Sequence, residues 1–399
     1  MIKKTQQNDG LGKIDLKIFE KQEKFDESDI YWKRFVIVNI LNGAKHIAKI
    51  SRLLFQNFTI QKINSFYREV NINLKLNHPA IQKCYGYSLT NFKDKLKPVV
   101  IMEPVTKGSI KTNINSDQFN STKKLINLFG IASGMAYLHS HNILHKNIDI
   151  KNIYLDRSMY PKISGFENCK EIPENEPLKE FRINGKVEYI APEVLFNLEY
   201  SKASDVYAFG ILMYQIILQR KKPYKYSANA WLSKSGKRPK FDAPIHKAYK
   251  NLIERCWSQD PKMRPTFDQI VNELKTNSEF IIKEEDDDEI KPIPALKYLK
   301  GKKPLLRIEK VDKDEYFKYI KFIEESHLSF DDSKIKINLD EMMKLRTHVF
   351  DQTKIPFYIW DLCKSDKRLQ YLEELLEETC TDDKKYQIRQ SFFPFLEPE

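Results

Sequence analysis

The stretch Leu144–Leu155, LHKNIDIKNIYL, constrains this chain more than any other. His145, Lys146, Asn147, Asp149 and Asn152 are set between apolar positions, and Ile153-Tyr154-Leu155 follows as a short apolar strand. Seven residues further on, Lys162–Glu167 (KISGFE) places Gly165, Phe166 and Glu167 in a row. The chain around these two stretches has 399 residues, enough for one to three domains with a large core. Its hydrophobic content of 41% and aromatic content of 12% are those of a globular protein and exclude a disordered one.

Upstream, Ile30–Leu53 is β-like, with two apolar runs separated by Leu41-Asn42-Gly43-Ala44, and Asn-Gly is a strong hairpin signal. His46-Ile47-Ala48-Lys49 forms the second run. Phe66-Tyr67-Arg68-Glu69-Val70, followed by Leu74, Leu76 and His78-Pro79, predicts a helix and the turn after it. A lysine on a strand is ordinarily a solvated one, so Lys49 gains meaning only beside Glu69. Val99–Met102 (VVIM) predicts a buried strand, and Leu125–His139 carries apolar residues at helical spacing. Downstream come Tyr189-Ile190-Ala191-Pro192-Glu193, Asp205-Val206-Tyr207-Ala208-Phe209-Gly210, and Cys256-Trp257-Ser258-Gln259-Asp260-Pro261 leading to Arg264-Pro265-Thr266.

These motifs, in this order and spacing, resemble a protein kinase, most closely the tyrosine-kinase-like group of serine/threonine kinases, over about Lys24–Thr276. The resemblance implies an α+β, two-lobed fold: a five-stranded N-lobe with the helix that the family calls αC, and a mainly helical C-lobe. It makes Lys49 the lysine that holds the α- and β-phosphates and Glu69 its ion-pair partner, serving either nucleotide contact or bracing of the small lobe. Met102 becomes the gatekeeper, Glu103-Pro104-Val105 the hinge, and Asn152 the metal-binding asparagine. His145, Phe166, Glu193, Asp205 and Arg264 become structural residues, with Glu193 paired to Arg264.

The chemistry departs from that pattern. Lys146 stands where the family has Arg, Asn147 where it has the catalytic Asp, and Asp149 where it has a Lys facing the γ-phosphate. Gly165 replaces the metal-binding Asp of Asp-Phe-Gly, and Lys186 replaces the Thr that would bond the catalytic Asp. The phosphate loop should lie near Glu27–Trp32, yet no glycine occurs from Lys13 to Asn42, so no Cβ-free backbone is available to approach phosphate. A positioned general base contributes ~10²–10⁴ in rate, and Asn147 cannot act as one. An anion at Asp149 would repel a γ-phosphate ~5 Å away by about 3 kcal/mol at an effective dielectric of ~20. Two rescues are open: Asp149 as a displaced base, and Glu167 holding a metal with Asn152. Ser, Thr and Tyr are absent between Gly165 and Lys186, so phosphorylation cannot switch that stretch.

Residues 1–23 are expected to be a polar leader that can add an edge to the first sheet, and residues 24–278 the kinase-like domain. Glu284–Glu289 (EEDDDE) and the Lys/Pro-rich Lys291–Pro304 mark a linker over 279–310. Residues 311–399 are expected to form a helical C-terminal extension docked on the large lobe or a partner. Its first helix, Asp312–Leu328, opens with the capping box Asp312-x-x-Glu315 and carries Tyr316, Tyr319, Ile320 and Ile323 on one face. Further helices are expected over Leu339–Phe350 and Arg368–Cys380.

The net charge of +12 is spread along the chain among 55 acids, which argues against nucleic acid as the main partner and for attraction to acidic ones. The longest apolar run, Val206–Leu218, is too short to span a bilayer, and Met1–Gly10 lacks the apolar core of a secretion signal. Five scattered cysteines with no C-x-x-C pair are those of a reduced, cytoplasmic protein without a zinc site. The expected function is that of a pseudokinase acting as signalling scaffold or allosteric regulator through protein partners, such as an active kinase or its substrate. The alternative is an atypical ATP-dependent serine/threonine kinase with weak phosphotransfer. ATP binding is expected to be weak or absent and little helped by Mg²⁺.

Overall fold

The computed structural model describes residues 12–24, 32–55, 58, 60–173, 177–180, 183, 185–224, 233, 235–243, 245–281 and 311–331. Most of the expected phosphate loop, the acidic and Lys/Pro-rich linker and the two expected helices beyond residue 338 lie outside the described residues. Met1–Arg52 and Ser65–Ile337 form one compact unit, and Leu53–Asn64 with Asn338–Glu399 form a second. In the second, the rings of Phe55 and Phe58 lie 5.5 Å apart.

The small lobe is a five-stranded antiparallel sheet in the order β1-β2-β3-β6-β5. Its strands are β1 (Phe19–Lys24), β2 (Trp32–Asn39), β3 (Lys45–Ser51), β5 (Cys84–Ser88) and β6 (Val99–Met102). Helix α1 (Ile60–Lys75), the αC of the family, and the short β4 (Leu76–Asn77) lie between β3 and β5 in sequence. The expected Asn42-Gly43 turn joins β2 to β3, with Asn42 Oδ1 accepting from Ala44 N at 2.9 Å. The register pairs Arg34 with Lys49 and Phe35 with Ala48. Because side chains alternate, Trp32, Arg34, Ile47 and Lys49 face the cleft, while Lys33, Phe35, Ile37, Ala48 and Ile50 face outward.

Strand β1 forms the sheet edge that the N-terminal segment was expected to be able to add. Phe19 pairs with Asn39, and Leu16 and Phe19 pack with Ile37, Ala48, Ile50, Val99 and Ile101. The segment expected as a leader thus supplies both the sheet edge and part of the core, its apolar residues having been diluted in sequence by lysines.

The large lobe comprises α2 (Ile110–Asn113), α3 (Ser121–Ser140), β7 (Ile143–Leu144), β8 (Ile153–Leu155), β9 (Pro161–Ile163), β10 (Lys170–Glu171), β11 (Leu178–Lys179), α4 (Pro192–Asn197), β12 (Glu199–Tyr200), α5 (Lys202–Ile217), α6 (Lys247–Cys256) and α7 (Phe267–Thr276). Helix α5 is buried along nearly its whole length, in keeping with its almost unbroken apolar sequence.

The extension contributes α8 (Lys313–Glu325) and β13 (Ser329–Phe330). Tyr316, Tyr319, Ile320 and Ile323 are buried on the expected face, against α3 and α7. Tyr316 donates to the Leu274 carbonyl at 2.8 Å. A Cβ on Gly130 of α3 would fall 2.4 Å from the Tyr319 hydroxyl, so only glycine leaves room for that ring. The capping box is half formed: Asp312 accepts from Glu315 N at 3.0 Å, but the Glu315 carboxylate turns to Lys123. Strand β13 then pairs with β4, the Tyr137 hydroxyl donates to the Ser329 carbonyl at 2.6 Å, and Phe330 stacks on His141.

Candidate functional site: a reworked phosphotransfer cleft

The loop from His145 to Asn152 is positioned by one carboxylate. Asp205, at the start of α5, accepts from His145 N and Lys146 N, each at 2.8 Å, and bonds His139 Nε2 at 3.0 Å. Lys146 has φ of 61°, a left-handed conformation that a lysine adopts only when its surroundings impose it. Burial alone would raise the Asp205 pKa, but His139 and His145 outweigh it and hold the carboxyl below its ordinary range. Burial also lowers the pKa of His145, whose Nδ1 accepts from Asn147 N at 3.2 Å and whose ring meets Phe166 edge-on.

At the centre of the loop, Asn147 acts as a donor. Its Nδ2 reaches the Gly165 carbonyl at 3.3 Å and Glu167 Oε1 at 3.2 Å. Asn152 donates to the Asn147 carbonyl at 2.8 Å. Gly165 has φ of +88°, and a Cβ there would lie 2.7 Å from Asn152 Cγ. Asn152 and Glu167 therefore gather around Asn147. Among the described residues no group of three or more His, Cys, Asp or Glu could hold a metal ion. Glu167 does keep one buried oxygen, Oε2, without a hydrogen-bond partner among the described residues. A single carboxylate is a thin donor set for Mg²⁺, which demands near-octahedral oxygen ligation.

Asp149 does not stand as an isolated anion. Its Oδ2 pairs with Lys186 and its Oδ1 accepts from the Tyr189 hydroxyl at 3.0 Å and from Lys151 N at 3.1 Å. Both of its oxygens are therefore engaged.

Lys49 and Glu69 are brought together at 2.5 Å, both buried. Burial disfavours the Lys49 ammonium, but the carboxylates of Glu69 and Glu167 outweigh it and hold its pKa above the usual lysine value. The Trp32 ring lies 4.6 Å from Lys49 Nζ and stacks on Phe66. An indole thus caps the ammonium.

Among the described residues, the base end of the cleft is narrow. Arg34 places its guanidinium 5.5 Å from the centre of the Tyr154 ring, spanning the lobes. Gln82 Nε2 donates to the Glu103 carbonyl at 2.9 Å, occupying a hinge acceptor. The Glu103 side chain pairs with Lys162 at 2.7 Å. Between Arg34, Tyr154, Gln82, Met102 and Val105 remains a cavity of about 10 Å³. That is about one water molecule, where a cofactor needs several hundred Å³.

A second ionic cluster fastens the activation segment. Glu180 meets Lys146 and Lys170, each at 2.5 Å, and Lys146 also lies 4.1 Å from the Tyr200 ring centre. Burial would raise the Glu180 pKa, but the two lysines outweigh it and hold it low. Further on, Glu193 and Arg264 form a two-pronged pair at 2.7 and 2.8 Å, with Arg264 also donating to the Ala203 and Ser258 carbonyls.

Trp32, Arg34, Gln82, Tyr154 and Glu180 were not singled out in sequence for these roles. The available signal was an arginine inside the apolar run of β2, on the same face as Lys49 once the hairpin fixes the register.

A family model for protein tyrosine and serine/threonine kinases matches residues 42–274. A probable serine/threonine-protein kinase of Dictyostelium discoideum is 30% identical over 226 residues, covering 54% of this chain and 16% of that protein. A probable LIM domain-containing serine/threonine-protein kinase of the same organism is 31% identical over 240 residues, covering 57% and 35%. The human tyrosine-protein kinase FRK is 30% identical over 217 residues, covering 52% and 42%. The matched region thus spans less than half the length of each of these relatives. Kinases of this kind generally bind ATP and Mg²⁺, and the two-lobed architecture, the Lys49–Glu69 pair and the Glu193–Arg264 pair are all in place around the altered loop. This chain belongs to the protein tyrosine and serine/threonine kinase family.

Proposed function

We propose that this protein is a catalytically impaired member of its family, closest to the tyrosine-kinase-like group, that works in the cytoplasm as a scaffold or allosteric regulator of protein partners. The observation that carries this reading is Asn147. Its amide donates to the Gly165 carbonyl and to Glu167, so the position facing a substrate hydroxyl holds a neutral amide, which cannot take up the hydroxyl proton. Phosphoryl transfer depends on positioning and on charge stabilisation, and the narrow cavity at Arg34 and Tyr154 opposes nucleotide entry. On this reading ATP binds weakly and Mg²⁺ adds little. The absence, among the described residues, of a helix long and apolar enough to cross a membrane is compatible with such a role.

A second reading, weak phosphotransfer by an atypical serine/threonine kinase, draws on Glu167, whose free buried oxygen lies beside Asn147. The two readings separate in one assay. Purified protein is incubated with labelled ATP and either Mg²⁺ or Mn²⁺, alone and with a generic protein substrate. No label above background is the expected result. Incorporation that Glu167→Gln abolishes would overturn the impaired reading.

A further inference from the structure

The outward face of the small-lobe sheet is only partly covered. Leu16 and Phe19 seal it over Ile37 and Ala48. Beyond them, the β1–β3 strands face the loop between β5 and β6 across a groove of about 530 Å³. That loop is shaped by Asn91, whose Oδ1 accepts from Lys93 N at 2.9 Å and Lys95 N at 3.2 Å. Lys97 ties it to the end of β3 by donating to the Arg52 carbonyl at 2.9 Å.

The groove has two kinds of wall. Its floor is apolar: Phe35, Ile50 and Phe92. Its rim is cationic: Lys21, Lys33, Arg52, Lys93 and Lys97, and no acidic side chain lines it among the described residues. Lys21 lies 3.9 Å from the centre of the Phe35 ring, so one cation already bridges rim and floor.

We propose that this groove binds an acidic peptide segment of a partner protein, an extended stretch in which one bulky apolar side chain is flanked by Asp and Glu. A concave surface lined by one sign of charge focuses its field and concentrates ligands of the opposite sign. The apolar floor sets the second requirement, because anchors that fill apolar pockets supply most of the binding energy of an interface. A groove of several hundred Å³ takes such an anchor with its neighbours. The same features disfavour a lipid surface: Ile50 is buried and Phe35 and Phe92 are half-buried beneath the lysines, so no apolar side chain projects to reach acyl chains. Lys33 and Phe35 face away from Lys49, so the inference stands whether or not the cleft transfers phosphate. Its failure would be read on a different surface from failure of the proposed function.

The test is fluorescence anisotropy with the full chain and a labelled peptide of Asp and Glu around a central phenylalanine. Saturable binding is expected, weakened about tenfold or more by Lys33→Glu with Lys93→Glu, and reduced by added salt as screening requires. Alanine in place of the peptide's phenylalanine should weaken it about threefold or more, as loss of an apolar anchor requires. Both lysines are exposed, so the doubly substituted protein should keep its melting temperature and any residual nucleotide response. Absence of saturable binding, or equal affinity for the substituted protein, overturns the proposal. So does indifference to the phenylalanine, which leaves only diffuse charge attraction. Binding of phosphatidylserine vesicles that the double substitution abolishes and the peptide fails to compete would assign the groove to a membrane. Tighter peptide binding after Glu284–Glu289 are replaced by serine would make the chain's own acidic run the occupant.

Discussion

Asp149 on the catalytic loop and Lys186 on the activation segment form an ion pair, the anion on the loop and the cation on the segment. The family places a lysine and a threonine at these two positions, so neither substitution makes sense alone and both do together. Asp149 is buried while the Lys186 side chain is 41% exposed. Asp149→Asn should therefore cost about 1–3 kcal/mol, the range for a hydrogen bond to a charged group in a partly buried setting. Urea denaturation measures it. The exchange Asp149→Lys with Lys186→Asp should cost less than the sum of its two single substitutions, and a strictly additive result would show that the pair has no coupling.

Restoring the metal-binding aspartate should fail. A Cβ at Gly165 would sit 2.7 Å from Asn152 Cγ, on a backbone with φ of +88°. Gly165→Asp is expected to lower stability by about 1–3 kcal/mol through strain and displacement of Asn152. With Asn147→Asp added, Mg²⁺-dependent phosphotransfer should remain absent in the labelled-ATP assay. Recovery of activity would show that the loop relaxes more readily than its contacts imply.

Glu180→Gln should loosen the activation segment. It leaves Lys146, whose side chain is 2% exposed, without its carboxylate, at a cost of about 2–4 kcal/mol. Limited proteolysis should cut the chain near Leu178–Glu180 faster, by about tenfold or more, because cleavage tracks the local opening equilibrium. Unchanged cleavage would show that β11–β12 pairing alone fastens it.

Two buried histidines set an acid limit on stability. Burial, with the Lys162 charge adding to it, depresses His78 from 6.5 to about 4, and burial depresses His145 below 6.5. Well above pH 6.5 both are neutral in the folded and unfolded chain, and neither affects the balance. Below it the unfolded chain takes up protons that the folded one refuses, so stability falls with pH, by up to ~3 kcal/mol for His78 near pH 4. Asp205, held below its ordinary range, adds a further loss only as pH falls through its depressed value. Denaturation midpoints between pH 8 and pH 4 test this. His78→Gln should flatten the slope below pH 6.5, and an unaltered slope would assign it elsewhere.

Much of the fold and part of the site were legible in the sequence, for a common reason. Lys49 with Glu69 and Glu193 with Arg264 occupy fixed places within motifs that resemble the family's, and that resemblance implies which side chains meet. Arg34, Gln82 and Tyr154 were not legible as a group, because each is an ordinary residue on a strand or in a turn until the β2–β3 register and the approach of the lobes place them around one small space. Glu180 lies in a stretch without strong periodicity, and only the packing of Lys146 against Tyr200 makes it a partner. Strand β1 was missed as core for a different reason: its buried Phe19 is followed by five exposed positions, and one apolar residue gives no pattern.

The Tyr319 ring seated against Gly130, with β13 paired to β4, has a consequence for dissection of this protein. A fragment cut to the span of the family model, 42–274, would remove β1 and β2 at one end and strip α8 from α3 at the other. Phe129, Ile126 and the slot above Gly130 would then face water, with the apolar outer face of the remaining sheet uncovered as well. Such a fragment should be insoluble or partly folded whatever the state of its cleft, and an inactive result from it would say nothing about catalysis. The folded unit here is larger than the span of the family model, so a boundary drawn from that match is not a boundary of folding.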